Sequence, residues 1–394
     1  MMKDKFQVPK IFSLISLILA GIGVLAFIFG IMRDPAVTWG SYLVSAYYFL
    51  SLSIGAAFFF AIQNITQSGW SSAFRRIPEA MMSWIPFAFI FFILLYFGMN
   101  DLYHWTHEDV ITNDELIVHK SVYLNVPFFF IRMILSFGMW IILVWYLRKL
   151  SLREERFEPN DTAGILKNFH RIEFYSRIFI FVLALTFTIA AFDWIMSLEP
   201  HWFSSIFAFK NFVAAFYHGV TIIALIVFIL YRIGYFPFLN KYHLHDFARY
   251  IFILSIIWGY MWFAQFLIIW YGNIPEETAY YFDRWQQGWK IFFWLQIALN
   301  WGVPFLVLLP VQTSRNLNII IGVIAVLIIG QYIDLYVQIM PPLAGQHQFS
   351  LIDAALFLGF AGLFSFVVSR ALTRAELVPK NHPYLVESLE HQFD

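Results

Sequence analysis

Residues 190–202 read Ala190-Ala191-Phe192-Asp193-Trp194-Ile195-Met196-Ser197-Leu198-Glu199-Pro200-His201-Trp202. They end an apolar run that begins near residue 172, and a run of this length can cross a lipid bilayer as a single helix. Asp193 would then lie inside the membrane, where a charged side chain is costly unless it has a partner or faces a cavity. This stretch therefore predicts a membrane-spanning helix and a buried carboxylate that needs a partner.

The rest of the chain has the same apolar character. Of its 394 residues, 60% are hydrophobic and only 13% are charged, whereas a soluble domain carries about 25% charged residues. Backbone polar groups must be satisfied within a bilayer, so long apolar runs indicate helices. We therefore predict an all-α polytopic membrane protein with ten transmembrane helices, at about residues 10–32, 38–65, 80–99, 124–148, 172–198, 207–233, 248–272, 287–311, 317–340 and 351–371.

The basic residues predict the orientation of the chain. Cytoplasmic loops are enriched in lysine and arginine, and a cytoplasmic N-terminus places most of the 25 basic residues on that side. Lys3, Lys5 and Lys10 precede a first apolar run that is too long for a signal-peptide core and has no small-residue cleavage site after it. Both termini are therefore expected in the cytoplasm. This orientation assigns five basic residues to the opposite side: Arg33, Lys120, Lys210, Arg284 and Lys290.

Composition excludes several functional classes. The formal net charge is zero and the charges are scattered, so no nucleic-acid-binding surface is expected. The chain has no cysteine, which excludes disulfides, iron–sulfur ligation, covalent haem c and thiol catalysis. A haem b held by two facing histidines is also rejected, because His218 is the only histidine well inside a predicted span. We expect this chain to bind no redox cofactor, and a quinone or quinol stays open as a ligand.

The sequence contains an internal repeat. A segment around Arg132 aligns without a gap with one around Gln296, and Asp193 and Asp334 each precede a proline by seven residues. These matches occur in the same order, which predicts two four-helix bundles, spans 2–5 and 6–9, related by a parallel repeat. The predicted divisions are a first flanking helix (1–37), bundle one (38–200), bundle two (201–341), a tenth helix (342–371) and a cytoplasmic tail (372–394).

Polar side chains gather in the outer halves of the predicted spans. The candidate site comprises six of them: Arg132, Asp193, His218, Gln265, Gln296 and Asp334. Arg132 is the expected partner of Asp193, and this pair either only holds two spans together or belongs to a functional site. Asp334 faces Gln296 where the first bundle has arginine, so we expect it to lack a counter-charge and to exchange protons near neutral pH. With His218 it would form a short proton path or a quinone head-group site. A lone histidine within a span is otherwise most often a hydrogen-bonded packing residue.

The sequence also resembles a known family. The motif Phe192-Asp193-Trp194-Ile195-Met196-Ser197-Leu198-Glu199-Pro200-His201-Trp202 is similar to the F-subunit family of bacterial alternative complex III, as are Tyr217-His218-Gly219 and Phe263-Ala264-Gln265-Phe266-Leu267-Ile268-Ile269-Trp270-Tyr271-Gly272-Asn273. That family belongs to the NrfD/polysulfide-reductase membrane-anchor superfamily, and the resemblance covers essentially the whole chain. It implies a multi-pass protein of the bacterial cytoplasmic (inner) membrane.

The resemblance implies a role in respiratory electron transport. Alternative complex III is a quinol:electron-acceptor oxidoreductase that passes electrons from quinol through iron–sulfur clusters and c-type haems of other subunits to a cytochrome c or a terminal oxidase. The implied partners are the homologous membrane C subunit, an iron–sulfur protein, c-type cytochromes, a terminal oxidase and membrane lipids. The implied role of this chain is a scaffold with a proton path or an auxiliary quinone-binding role. Two alternatives stay open: a secondary transporter, which also combines a parallel repeat with polar groups inside the membrane, and a true quinol-oxidising subunit.

Overall fold

Ten long helices make up most of the protein. The computed structural model describes residues 5–158, 160–286, 288–345 and 349–392; Lys3 lies outside them. Within the described residues, ten helices are long and apolar enough to cross a membrane. They are α1 (Lys10–Arg33), α2 (Pro35–Ile65), α3 (Arg76–Leu102), α4 (Val126–Arg153), α5 (Thr162–Trp194), α6 (Phe207–Arg232), α7 (Lys241–Gly272), α8 (Lys290–Leu308), α9 (Leu317–Ile339) and α10 (Leu351–Leu372). The prediction of an all-helical fold with ten membrane-length helices is confirmed.

Several helices extend beyond the apolar runs that predicted them. α5 begins at Thr162 instead of residue 172, and α7 begins at Lys241 instead of residue 248. The added turns are polar, because hydrophobicity marks the part of a helix that lies in lipid and not its whole length. Both extensions have capped starts. The Asp161 carboxylate accepts a backbone hydrogen bond at 2.9 Å, and Asn240 forms a capping box with His243.

α8 contains an irregular turn. A π-helical turn occupies Ala298–Gly302, and Pro304 follows it. Proline has no N–H to donate to the carbonyl four residues before it, so the carbonyl of Asn300 is left free. The hydroxyl of Tyr217 in α6 donates to this carbonyl at 3.0 Å. The irregular turn therefore joins α8 to α6 inside the protein.

The ten helices contact one another in two rings. α2, α3, α4 and α5 form one ring of contacts, and α6, α7, α8 and α9 form the other. α2 also contacts α6 and α9, and it is buried along almost its whole length. α1 and α10 pack extensively against each other at the outside of the first ring. The relation of the two rings by a parallel repeat stays a prediction.

α2 and α6 cross at a pair of glycines. A β-carbon added to Gly55 would lie 1.9 Å from the carbonyl oxygen of Ala215, and one added to Gly219 would lie 2.6 Å from the carbonyl carbon of Gly55. Both distances are far shorter than van der Waals contact, so only glycine permits this approach. Small residues at helix crossings allow close backbone packing in membranes, where lipid supplies no hydrophobic drive between helices. The two rings therefore meet in direct backbone contact.

The outer surface of the helices is apolar. Large hydrophobic side chains are exposed on many helices, among them Ile11, Leu25, Ile142, Phe181 and Leu306. A soluble protein rarely exposes extended apolar surface of this kind, whereas lipid tails solvate it. The helix lengths and this surface together identify a multi-pass membrane protein.

A buried ion-pair network joins the start of α3 to the end of α4. The guanidinium of Arg75 lies 2.8 Å from the carboxylate of Glu154, and that of Arg76 lies 2.7 Å from Glu79. The hydroxyl of Ser151 accepts a hydrogen bond from Arg76 at 2.8 Å and donates one to Glu79 at 2.5 Å. These arginines belong to the basic bias that predicts a cytoplasmic location, but they are structural groups rather than solvated loop charges.

The C-terminal segment packs against the same end of the protein. It contains the short helix Leu385–Leu389. The Ser72 hydroxyl donates to the carbonyl of Tyr384 at 3.0 Å, and the ring of His243 lies 2.9 Å from the carbonyl oxygen of Ser388. The predicted tail is therefore part of the folded protein and connects the loop after α2 to the start of α7.

His382 lies in this segment beside two arginines. Burial, together with the positive charges of Arg75 and Arg76, lowers the pKa of His382 well below its usual range. Its ring packs edge-on against Phe169, with 5.5 Å between the ring centres. The imidazole is therefore neutral when the segment is docked, which makes docking sensitive to acid.

Candidate functional site

Arg132 and Asp193 form a buried ion pair between α4 and α5. Nε and Nη2 of Arg132 lie 2.6 and 3.0 Å from the two carboxylate oxygens of Asp193, which is a bidentate arrangement. The two side chains are only 7% and 1% exposed. The guanidinium also donates to the carbonyl of Tyr123 at 2.9 Å and lies 3.8 Å from the centre of the Tyr123 ring. The predicted partner of Asp193 is therefore present.

Asp334 also has a cationic partner, so the prediction that it lacks one is wrong. Nζ of Lys210 lies 3.0 Å from Oδ1 of Asp334, and both side chains are buried. The indole N–H of Trp258 is directed at Oδ2 of the same carboxylate at 3.4 Å. Charge counting places Lys210 on the extracytoplasmic side, but it lies one turn into α6 and is buried. The counter-charge of Asp334 therefore comes from α6 and not from α8, the helix that carries Gln296 at the position aligned with Arg132.

The two ion pairs differ in their capacity to exchange protons. Arginine keeps its proton in proteins, whereas lysine can change its protonation state when it is buried. The bidentate Arg132–Asp193 pair fixes both partners in one geometry, as a structural ion pair does. The Lys210–Asp334 pair consists of lysine and aspartate, which are both residue types that exchange protons in proteins. This pair therefore has the chemistry that proton transfer needs.

Tyr47 of α2 lies between the two ion pairs. Its ring centre is 6.5 Å from that of Trp194, the residue next to Asp193. The same side chain lies within electrostatic reach of Asp334. Its hydroxyl is buried and has no hydrogen-bond partner in the described part of the chain. α2 therefore presents a polar group between the two pairs.

Arg284 connects the end of the Asp193 motif to α9. It is 1% exposed, lies in a short helix between α7 and α8, and contacts the carboxylate of Glu199 at 2.5 Å. It also donates to two backbone carbonyls at the end of α9, at 2.9 and 3.0 Å. Burial disfavours its charge, but Glu199 and Tyr280 outweigh burial and raise the pKa of Arg284. The guanidinium therefore stays charged and joins the two rings at the end where the ion pairs lie.

The other predicted site residues are buried but do not join the ion pairs. His218, Gln265 and Gln296 are each at most 2% exposed. Nε2 of His218 and Oε1 of Gln296 have no hydrogen-bond partner among the described residues. His218 lies eight residues beyond Lys210 in α6, about 12 Å along the helix axis. The structure therefore brings together Arg132 with Asp193, and Lys210 with Asp334, but it does not place His218 against either carboxylate.

Polar groups occupy the interval between Asp334 and His218. Gln331 lies nearly one turn before Asp334 in α9, and its amide donates to the hydroxyl of Ser51 in α2 at 3.2 Å. Its Oε1 is buried and unpaired within the described residues. Gly55, one turn beyond Ser51, contacts Gly219, the neighbour of His218. An unpaired buried polar atom costs about 1–3 kcal/mol, so this interval has hydrogen-bonding capacity that the protein itself leaves unfilled.

Sequence reasoning missed Lys210 and Trp258 as members of the site. Lys210 falls in the first turn of a predicted span, where a lysine usually reaches the membrane surface. A signal was nevertheless present, since Lys210 and His218 are separated by eight residues and share one face of α6. Trp258 gives no such signal, because the sequence has 15 tryptophans and many of them lie in spans.

No protein-family model matches the sequence, and no curated protein matches it. No group of three or more histidine, cysteine, aspartate or glutamate side chains that could hold a metal ion occurs within the described ranges. The fold and the site therefore define a multi-pass helical membrane protein with two buried ion pairs, Arg132–Asp193 and Lys210–Asp334, near one end of its helices.

Proposed function

We propose that this chain is a membrane subunit of a quinol-oxidising respiratory complex of the alternative complex III type. The motif around Asp193, its resemblance to the F-subunit family and the two buried ion pairs support the proposal. The chain acts as a scaffold in the bacterial cytoplasmic membrane and moves or stores protons. Electrons pass through other subunits.

The Lys210–Asp334 pair is the observation that carries the proton role. Charged groups inside membrane spans are expensive and generally mark ion or proton pathways. When either partner changes its protonation, the other loses its counter-charge, so proton gain and proton loss at the pair are coupled. Gln331, Ser51 and His218 supply further donors and acceptors toward the middle of the membrane. Because Arg132 keeps its proton, the Arg132–Asp193 pair holds α4 and α5 together.

The proposal includes an orientation and a repeat. Both termini lie in the cytoplasm, as the bias of basic residues indicates. The rings α2–α5 and α6–α9 are two four-helix bundles related by a parallel repeat, and the ring contacts and the matching positions of Asp193 and Asp334 support this. The ion pairs then lie in the extracytoplasmic half, and the C-terminal segment lies on the cytoplasmic side.

The electron-transfer cofactors belong to partner subunits in this proposal. Haem c and iron–sulfur clusters are carried by c-type cytochromes and an iron–sulfur protein, and quinol is oxidised at the homologous C subunit. Quinone binding by this chain is auxiliary and involves the buried polar groups His218 and Gln296. Secondary transport and quinol oxidation by this chain itself are the competing functions.

Purification of the tagged chain from its native membrane separates these functions. In mild detergent, the proposal expects the chain to elute with haem-stained c-type cytochromes and an iron–sulfur protein, identified by mass spectrometry. A transporter would elute alone, and that result would contradict the proposal. Photolabelling of the purified complex with a quinone analogue tests the third function, since a dominant label on this chain would identify it as the quinol-oxidising subunit.

A further inference from the structure

A large cleft opens between α3, α4 and α10, at the end of α4 remote from Arg132. Its volume is about 1310 Å³. One wall is apolar and includes Pro86, Phe87, Ile141, Val144, Phe366 and Val367. The other part of its lining is a basic rim, which consists of Arg148, Lys149, Arg153, Arg156, Arg370 and Arg374. None of the lining residues is acidic. The cleft therefore combines a hydrophobic surface with a concentrated positive charge.

The basic groups of the cleft are not neutralised by the protein. None of the six forms an ion pair in the described ranges, and five of them are exposed, Arg148 being half-buried. The neighbouring Arg75 and Arg76 present the opposite case, since each is buried against glutamates. The protein thus pairs its arginines where they are structural and leaves unpaired those that line the cleft.

Several of the basic side chains are held in place. The guanidinium of Arg148 donates to the hydroxyl of Ser83 and, at 3.1 Å, to the carbonyl of Ala371. Arg370 lies over the ring of Phe366 at 5.4 Å, and Lys149 lies over a tryptophan ring at 5.0 Å. Contacts of this kind reduce the conformational freedom that a ligand would otherwise have to remove. The rim is therefore partly organised before an anion binds.

We propose that this cleft binds an anionic phospholipid, with its phosphate at the basic rim and its acyl chains along the apolar wall. Basic pockets between transmembrane helices recognise acidic lipid head groups through this combination of charge and apolar surface. A soluble phosphate would leave the apolar wall uncovered, and a zwitterionic lipid brings no net charge to balance the rim. The site is separate from the ion pairs and does not depend on the respiratory role.

Lipid binding is measured by native mass spectrometry on the protein purified from its membrane, together with the subunits that accompany it. The probes are phosphatidylglycerol and phosphatidylcholine, added to the detergent-solubilised protein. Wild type is expected to bind phosphatidylglycerol in preference. The double variant Arg370→Gln, Arg374→Gln should bind it roughly 30-fold more weakly, at about fivefold for each basic residue near the membrane surface. The matched control Lys167→Gln, Arg171→Gln removes two exposed basic residues of α5 outside the cleft and should bind as wild type does.

Two further measurements keep the proposal open to refutation if a charge variant is unstable. Val367→Trp narrows the apolar wall without changing charge and should also weaken phosphatidylglycerol binding. Excess inorganic phosphate should fail to displace the lipid. Equal binding of both lipids, equal loss in the α5 control, or displacement by inorganic phosphate alone would overturn the phospholipid site.

Discussion

Replacement of Lys210 by methionine removes the counter-charge of Asp334 while it keeps most of the side-chain volume. The two charges are 3.0 Å apart and almost completely buried. At this distance and an effective dielectric constant of about 20, their attraction is about 5.5 kcal/mol. Loss of one partner of a buried pair costs about 3–5 kcal/mol, because the remaining charge is buried without compensation. We therefore expect Lys210→Met to lower the free energy of unfolding by about 3–5 kcal/mol. Proton uptake by the Asp334 carboxylate, which would then lack a counter-charge, reduces this loss.

The double variant Lys210→Met, Asp334→Leu is the matched control. Removal of both charges leaves no uncompensated group, and well-packed apolar replacements of buried ion pairs are often neutral or stabilising by about 1–4 kcal/mol. Unfolding in mixed micelles, followed by circular dichroism, gives the free energies for wild type, both single variants and the double variant. A single-variant cost below about 1 kcal/mol, or a double variant as unstable as the sum of the singles, would refute a charged, buried pair.

Three further predictions follow from other parts of the fold. Gly55→Ala should disrupt the α2–α6 crossing and lower thermal stability, because its β-carbon would lie 1.9 Å from a carbonyl oxygen; Gly138→Ala, which meets nothing within 4 Å, should be neutral or gain up to about 1 kcal/mol. Arg132→Lys should destabilise the protein by about 1–3 kcal/mol in the same micelle assay, since one bidentate contact is lost. Docking of the C-terminal segment should be pH-independent above about pH 6.5 and should weaken below it. The reason is that His382 takes up a proton more readily in the undocked segment than in the docked one. Limited proteolysis across this range would show the change, and His382→Gln should reduce it.

Most of the fold can be predicted because the thickness of the bilayer sets the length of the apolar run that each spanning helix needs. All ten helices lie where the apolar runs predict them. Their ends differ from the predicted ends, because capped polar turns such as the one at Asp161 lie outside the membrane and carry no hydrophobic signal. The packed C-terminal segment was also invisible in composition. Specific hydrogen bonds hold this segment, such as the one that the Ser72 hydroxyl donates to the backbone carbonyl of Tyr384, and a linear sequence does not reveal them.

The candidate site was predicted in part. The predicted pairing of Arg132 with Asp193 is confirmed, since the two polar groups lie at similar depths in adjacent spans. The predicted repeat fails at Asp334, because the cation comes from α6 and not from α8. An alignment of the two segments shows which positions correspond, but it does not show which residue pairs with Asp334. Gln296 occupies the position that corresponds to Arg132, and for this reason the sequence predicts a missing charge. The proton hypothesis stays with Asp334, but the reason is now its pairing with a lysine.

Proton release per quinol oxidised, measured with the purified complex in lipid vesicles, tests the proton role of the Lys210–Asp334 pair. Asp334→Asn and the double variant Lys210→Met, Asp334→Leu should lower the number of protons released or the turnover. The corresponding double variant Arg132→Met, Asp193→Leu should keep the wild-type stoichiometry if it assembles. Unchanged proton release and turnover in Asp334→Asn would contradict a proton role for the Lys210–Asp334 pair.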